Sequence, residues 1–203
     1  DWRTKAAKQQ ADEARAAGLV PLLAHEHAQV TAMAAALRGH PIAGNYLRPG
    51  AGAAEVTLAW DDPATGVPCR ARLDLLPPPA PSGRLVIPDY KTCADASPQA
   101  LSRAVASYGY HVQAAWYLDG CRALGLGDDS AAFVFIAQEK TPPYLVSIFQ
   151  PDAIAMRVGA EQALQARHVW SWCTGQGRWP SYSDEVLQLA LPRWAEIEAG
   201  VHA

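Results

Sequence analysis

The run "RLVIPDYK", Arg84 to Lys91, constrains the fold more than any other stretch of this chain. Its apolar half reads as a buried strand, and with no turn signal it passes into Asp89, Tyr90 and Lys91. In an extended chain alternate side chains share a face, so Leu85, Ile87, Asp89 and Lys91 point one way and Val86, Pro88 and Tyr90 the other. A carboxylate and an ammonium are therefore neighbours on one side of a sheet interior. Buried charges persist only when they are paired, hydrogen-bonded or bound to a metal, so the rest of the chain has to supply partners for this pair.

The segments around the strand set its surroundings. Thr4 to about Ala17 and Pro21 to Arg38 read as two helices, stopped at Gly18 and Gly39. "EVTLAW" (Glu55 to Trp60) and "VPCRARLDLL" (Val67 to Leu76) flank "DDPATG", whose Asp, Pro and Gly supply turn chemistry, which predicts a β-hairpin. The loop "PPPAPSG" then leads into the central strand. Ser97 and Pro98 fit an N-cap and a first helical position, opening a helix to about Tyr108, and another runs from about Tyr110 to Leu124. "AAFVFIAQ" and "YLVSIFQ" are two further strands, followed by a helix from about Pro151 to Trp172 and a last short one from about Asp184. Helices, three strands, helices, two strands and helices suit an α/β fold with one mixed central sheet flanked by helices. The 203 residues, half of them apolar, are read as a single domain, 1–203, large enough to bury roughly 70% of its unfolded surface.

On the preceding strand the same alternation groups Arg70, Arg72 and Asp74 opposite Cys69, Ala71 and Leu73. If the two strands pair, Asp74 sits beside Asp89. Two half-buried carboxylates repel, and one would be forced to take up a proton unless a cation joined them. Hard oxygen ligands suit Mg²⁺ or Mn²⁺, and the backbone carbonyl of Tyr90 lies between the two side chains. Lys91 is then left to orient or help deprotonate a metal-bound water, or to offset charge growing on a phosphate. The pattern suits phosphodiester hydrolysis; the bland alternative is an Asp-x-Lys pair on a strand edge.

Further along, "YGYHVQAAWYLDG" puts Gln113 and Tyr117 four apart on one helix face, where a Tyr is ordinarily core. In order, Asp74, Asp89, Lys91, Gln113 and Tyr117 resemble the RecB-like branch of the PD-(D/E)xK nuclease superfamily, marked by Asp, then Asp/Glu-x-Lys, then Gln-x-x-x-Tyr. "GVPCRARLDLL", "DYKTCADASP", "QEKTPPY" and "WPSYSDEVLQLALPRWA" extend the resemblance to the exonuclease VIII (RecE-type) family of phages and prophages, over nearly the whole chain. The resemblance implies a restriction-endonuclease-like core and an Mg²⁺-dependent exonuclease (Mn²⁺ as substitute) acting on double-stranded DNA ends. It implies degradation from a 5′ end, leaving a 3′ tail for a single-strand annealing protein, in a ring-shaped homo-oligomer in the cytoplasm of a bacterium. Asp74, Asp89 and the Tyr90 carbonyl would hold the metal, Lys91 would serve the attacking water, and Gln113 and Tyr117 would face the substrate strand. Glu55 is open between a water-mediated metal contact and a structural role.

One departure stands out. RecB-like nucleases carry a metal-binding histidine in a Gly-x-x-x-His pattern on an early helix; His25 and His27 are the nearest candidates, with no Gly at that spacing. Because Asp1 opens directly onto helical sequence, the expectation is that the ligand lies N-terminal to this chain. Otherwise the domain is a catalytically silent PD-(D/E)xK-like module for DNA binding or assembly.

The net charge of −3 gives no global polyanion-binding signature, so DNA has to be met locally, by Arg70 and Arg72 beside Asp74 and by rim residues such as Lys5, Lys8, Arg38, Arg48 and Arg103. The four cysteines have no CxxC pair and read as reduced thiols. The tryptophans of "VWSWCTGQGRWP" read as packing for the terminal helix, and His111 as a satisfied, part-buried histidine. No stretch approaches a membrane span, and no Gly-rich phosphate loop or nucleophile elbow is present.

Overall fold

The computed structural model describes residues 2–78 and 83–200. The centre of the "PPPAPSG" loop lies outside the described residues. Two helices open the fold, α1 (Lys5–Ala16) and α2 (Ala24–Gly39). Thr4 caps α1 by accepting the Ala7 N–H at 3.1 Å. A short α3 (Ala43–Tyr46) was not expected. It forms because the His40 imidazole Nδ1 accepts the N–H groups of Ile42 and Ala43, both at 3.2 Å, a cap that residue statistics do not signal.

The hairpin is β1 (Ala53–Asp61) and β2 (Pro68–Leu76), antiparallel with Trp60 opposite Cys69 and Val56 opposite Leu73. Leu58 and Trp60 face inward with Cys69, Ala71 and Leu73, while Arg70 and Arg72 face out, as the alternation predicts. At its turn Asp62 Oδ2 accepts the Thr65 N–H at 2.9 Å and the Thr65 hydroxyl at 2.7 Å. β3 (Val86–Cys93) runs parallel to β4 (Ala132–Glu139), with Asp89 opposite Phe135, and β4 runs antiparallel to β5 (Val146–Phe149). β4 is buried along nearly its whole length, the pattern of a strand covered on both faces.

The expected single sheet is corrected here. The strands form two hydrogen-bonded sheets, β1-β2 and β3-β4-β5. β2 lies against β3, but at the point of contact the Asp74 carboxylate accepts the Tyr90 N–H at 2.8 Å, in place of a main-chain carbonyl.

α4 (Pro98–Ser107), capped by Ser97, and α5 (Tyr110–Ala123) are joined through Gly109, whose φ of 67° is a left-handed conformation that a side chain would strain. α5 packs Ala114, Leu118 and Cys121 into the core. Burial pushes the Cys121 thiol up to about 11, and all four cysteines are free, with Cys69, Cys121 and Cys173 buried. α6 (Ala153–Gln176) is capped by Asp152 and crosses α5 where Gly159 meets the His111 carbonyl so closely that any Cβ would collide with it. His111 is satisfied as expected, with Nδ1 3.0 Å from the Val105 carbonyl and Nε2 3.0 Å from Gln162. The most deeply buried large side chains, Phe135, Leu73, Ile87 and Ile136, lie at the centre, each contributing roughly 1.5–3 kcal/mol by leaving water.

A second knot of charge ties the hairpin turn to the helices. Arg167 of α6 places Nε 3.1 Å from Asp62 and Nη2 3.2 Å from Asp119, and its guanidinium lies over the Trp116 ring.

Two expectations about the C-terminal region fail. The last helix, α7 (Arg193–Glu198), starts nine residues after Asp184, because Leu187, Leu189 and Leu191 alternate with Gln188 and Ala190 in a period of two and make no helical stripe. The tryptophans pack only in part: Trp170, Trp172 and Trp179 are half-exposed, while Trp179 meets Trp170 of α6 edge to face at 5.2 Å. Among the described residues no helix is long and apolar enough to cross a membrane.

Candidate active site

Among the described residues Asp89 is the most deeply buried carboxylate, 1% exposed at the middle of β3. Two side chains reach it. Gln113, one turn into α5, donates its amide to Oδ1 at 2.7 Å. Lys91, two residues on and therefore on the same face, brings Nζ to 2.6 Å from Oδ2. That second contact is a close ion pair, and Lys91 is the partner of Oδ2. The ammonium is itself partly enclosed by the rings of Tyr110 and Phe135, whose centroids lie 5.4 and 5.8 Å away. Phe135 stacks on Tyr110 and on Phe149, which fixes this aromatic wall.

Burial pushes the Asp89 carboxyl up; Lys91 and Gln113 pull against it, and the neighbouring Asp74 charge adds to the rise. Asp74 is therefore close enough to repel Asp89, because β2 lies against β3. A carboxylate held at this cost in a sheet interior is a candidate functional group. Two neighbouring carboxylates on adjoining strands, one of them deeply buried, fit a small divalent cation that keeps part of its water shell. Asp74, Asp89 and the Tyr90 carbonyl are the groups that would hold it. Among the described residues no third His, Cys, Asp or Glu completes such a cluster. Glu55 instead reaches Arg72, with Oε2 2.6 Å from Nε, although its register position is opposite Asp74 at a break in the β1-β2 ladder where its φ is 56°. His25 and His27 lie exposed on α2.

Tyr117 and Arg72 are brought together, but apart from Asp89: both line a pocket with Thr57, Arg70 and Ala71. Tyr117 also packs edge to face on Phe133. On the opposite face of β3, Tyr90 donates its hydroxyl to Gln138 at 2.7 Å, and Gln138 donates to the Met33 carbonyl of α2 at 3.0 Å. The "QEK" glutamine thus ties α2 to the sheet and does not reach Asp89. Tyr110 was missed by sequence reasoning. Its position three before Gln113, on the same helix face, was the available signal.

The α/β core, its mixed sheet and this Asp, Asp-x-Lys, Gln cluster define a PD-(D/E)xK-like, nuclease-like domain. Residues 5–190 match the family described as a PDDEXK-like domain of unknown function (DUF3799), and the chain belongs to that family. Its fold is similar to the crystal structure of a "putative exonuclease" from Eubacterium rectale, at 13% identity and a TM-score of 0.57, covering 96% of this chain and 74% of that one. No curated protein sequence matches the chain.

Proposed function

We propose that the chain is a metal-dependent deoxyribonuclease of the RecE type, an exonuclease that hydrolyses phosphodiester bonds at duplex DNA ends. The observation that carries the reading is the buried Asp89 carboxylate, raised in pKa, gripped by Lys91 and Gln113 and crowded by Asp74. A purely structural carboxylate gains nothing from being buried beside a second carboxylate that repels it. Asp74, Asp89 and the Tyr90 carbonyl would hold Mg²⁺ or Mn²⁺, which would supply Lewis acidity toward a phosphate and an acidified water. Gln113 holds Oδ1 and so keeps Oδ2 turned toward Lys91. Lys91, steered by the Tyr110 and Phe135 rings, holds the attacking water and offsets charge on the phosphate. The motif resemblance supplies the finer reading, with digestion from the 5′ end, a 3′ tail handed to an annealing protein, and a ring-shaped homo-oligomer around the duplex.

The test is incubation of end-labelled linear duplex, nicked circle and single strand with Mg²⁺. Linear duplex is expected to shorten from its ends. Lys91→Ala is expected to slow this by about 10²- to 10³-fold with DNA affinity nearly unchanged, and cleavage retained in that variant would overturn the assignment. A second reading, a silent DNA-binding or assembly module, is favoured by the incomplete ligand cluster. It predicts binding without cutting under every divalent ion tried.

A further inference from the structure

The "QEK" stretch takes no part in holding Asp89, and each of its residues is nevertheless engaged. Gln138 is fully buried near the end of β4, after the apolar run Ala132 to Ala137, where a further apolar side chain would be buried more cheaply than an amide. The amide is used at both ends: Oε1 accepts the Tyr90 hydroxyl at 2.7 Å, and Nε2 donates to the Met33 carbonyl at 3.0 Å and to the Tyr144 carbonyl at 3.4 Å. Glu139 accepts the Ala96 N–H at 3.0 Å. The Lys140 carbonyl accepts from Gln29 of α2 at 2.6 Å, and its N–H donates at 3.2 Å to the carbonyl of Cys93, the last residue of β3. The stretch therefore ties the sheet to α2 and to the loop before α4.

Tyr90 is where this bracing meets the carboxylates. Its ring lines a cavity of about 450 Å³ between α2 and β3, walled by Val30, Met33 and Leu37. Packing leaves room on that side, so the bond to Gln138 is the directional contact that fixes the side chain. The Tyr90 main chain serves the other function: its N–H donates to Asp74 at 2.8 Å, and its carbonyl is one of the three groups that would hold a cation. Asp89 and Lys91 are bonded to it on either side, so a shift of this one residue moves the whole group.

We propose that Gln138 is a positioning residue for the metal site: through the Tyr90 hydroxyl it fixes the main chain between Asp89 and Lys91, and with it the Tyr90 carbonyl and the N–H that orients Asp74. This rests on the nuclease reading and adds a residue that stands behind the ligands. Groups that hydrogen-bond to metal ligands commonly set ion affinity by about 10- to 100-fold, because they hold the donors in the geometry a small cation demands. A satisfied buried amide network supplies direction that an apolar contact in the same place would not.

The test compares the parent protein with Tyr90→Phe, Gln138→Leu and the variant carrying both changes, and uses Asp62→Asn as a loss of stability elsewhere. The double variant removes hydroxyl and acceptor together, which lightens the penalty of a stranded polar group and keeps the measurement possible if Gln138→Leu alone does not fold. In metal-free protein, NMR hydrogen exchange of the residue 90 amide is expected to quicken about tenfold relative to other β3 amides in every Tyr90 or Gln138 variant, and not in Asp62→Asn. Mn²⁺ is then titrated by calorimetry. Its affinity is expected to fall about tenfold in the same variants and to keep its parent value in Asp62→Asn. Exchange or affinity that merely follows overall stability across all the variants overturns the positioning role, and so does an affinity indifferent to loss of the Tyr90 hydroxyl. Quickened exchange in a protein that neither binds Mn²⁺ nor cuts DNA sinks the nuclease reading and leaves the hold of Gln138 on Tyr90 standing.

Discussion

Two buried carboxylates, Asp62 and Asp89, titrate in opposite directions within one small core. Burial pushes both up. At Asp62 the Thr65 hydroxyl, the Arg167 guanidinium and the amides of Thr65 and Ala64 more than offset it, and the carboxyl is held below its ordinary value. At Asp89 the Gln113 amide and the Lys91 ammonium do not suffice against deeper burial, and Asp74 makes matters worse. The first arrangement ties a hairpin turn to α6 and α5; the second keeps a charge under tension. Both are acid-base pairs in a sequence reading, and the depth of burial, the number of donors and the neighbouring carboxylate are what set the two apart.

The contrast can be broken most forcefully at the cations. Arg167→Ala strands the Asp62 and Asp119 carboxylates and is expected to cost about 3–5 kcal/mol of stability by urea denaturation. Lys91→Ala is expected to cost about 1–2 kcal/mol, because Asp89 already leans toward taking a proton. Equal losses would erase the distinction. Below Arg167→Ala in size is Tyr90→Phe, which leaves the buried Gln138 carbonyl oxygen without its donor; about 1–3 kcal/mol is expected, and hydrogen exchange should show α2 loosening first.

The smallest effect separates the clusters by pH. Asp62→Asn is expected to cost about 1–2 kcal/mol near neutrality. A carboxyl lowered in the folded state adds stability that is fully present above its unfolded pKa and lost as pH falls through the folded one. The gap between this variant and the parent protein should therefore stay constant through neutral pH and close below the ordinary carboxylate range. A gap that instead widened in acid would mean that Asp62 is not the satisfied member of the pair.

Most of the elements were legible because their signals are local. Period-two alternation marked β1 and β2, the Ser97-Pro98 cap marked α4, and the spacing of Asp89 from Lys91 was enough to place both on one face. What stayed hidden depends on side chains standing in for backbone. The His40 ring that nucleates α3 and the Asp74 carboxylate that replaces a ladder bond at Tyr90 have no sequence signature. Arg167 sits in mid-helix, indistinguishable by pattern from the solvated charges around it, and becomes important only through Asp62 and Asp119, far away in the chain. Trp170, Trp172 and Trp179 misled for the reverse reason: aromatic content argued for packing, and the fold left them half-exposed.

The bond from the Tyr90 N–H to Asp74 makes one proton of this protein a natural spectator. If Asp74 turns its oxygen toward a cation, that amide surrenders its acceptor at the same moment. Its NMR resonance should then move as ions are titrated in, reporting occupancy with no nucleic acid in the tube and no bond being broken.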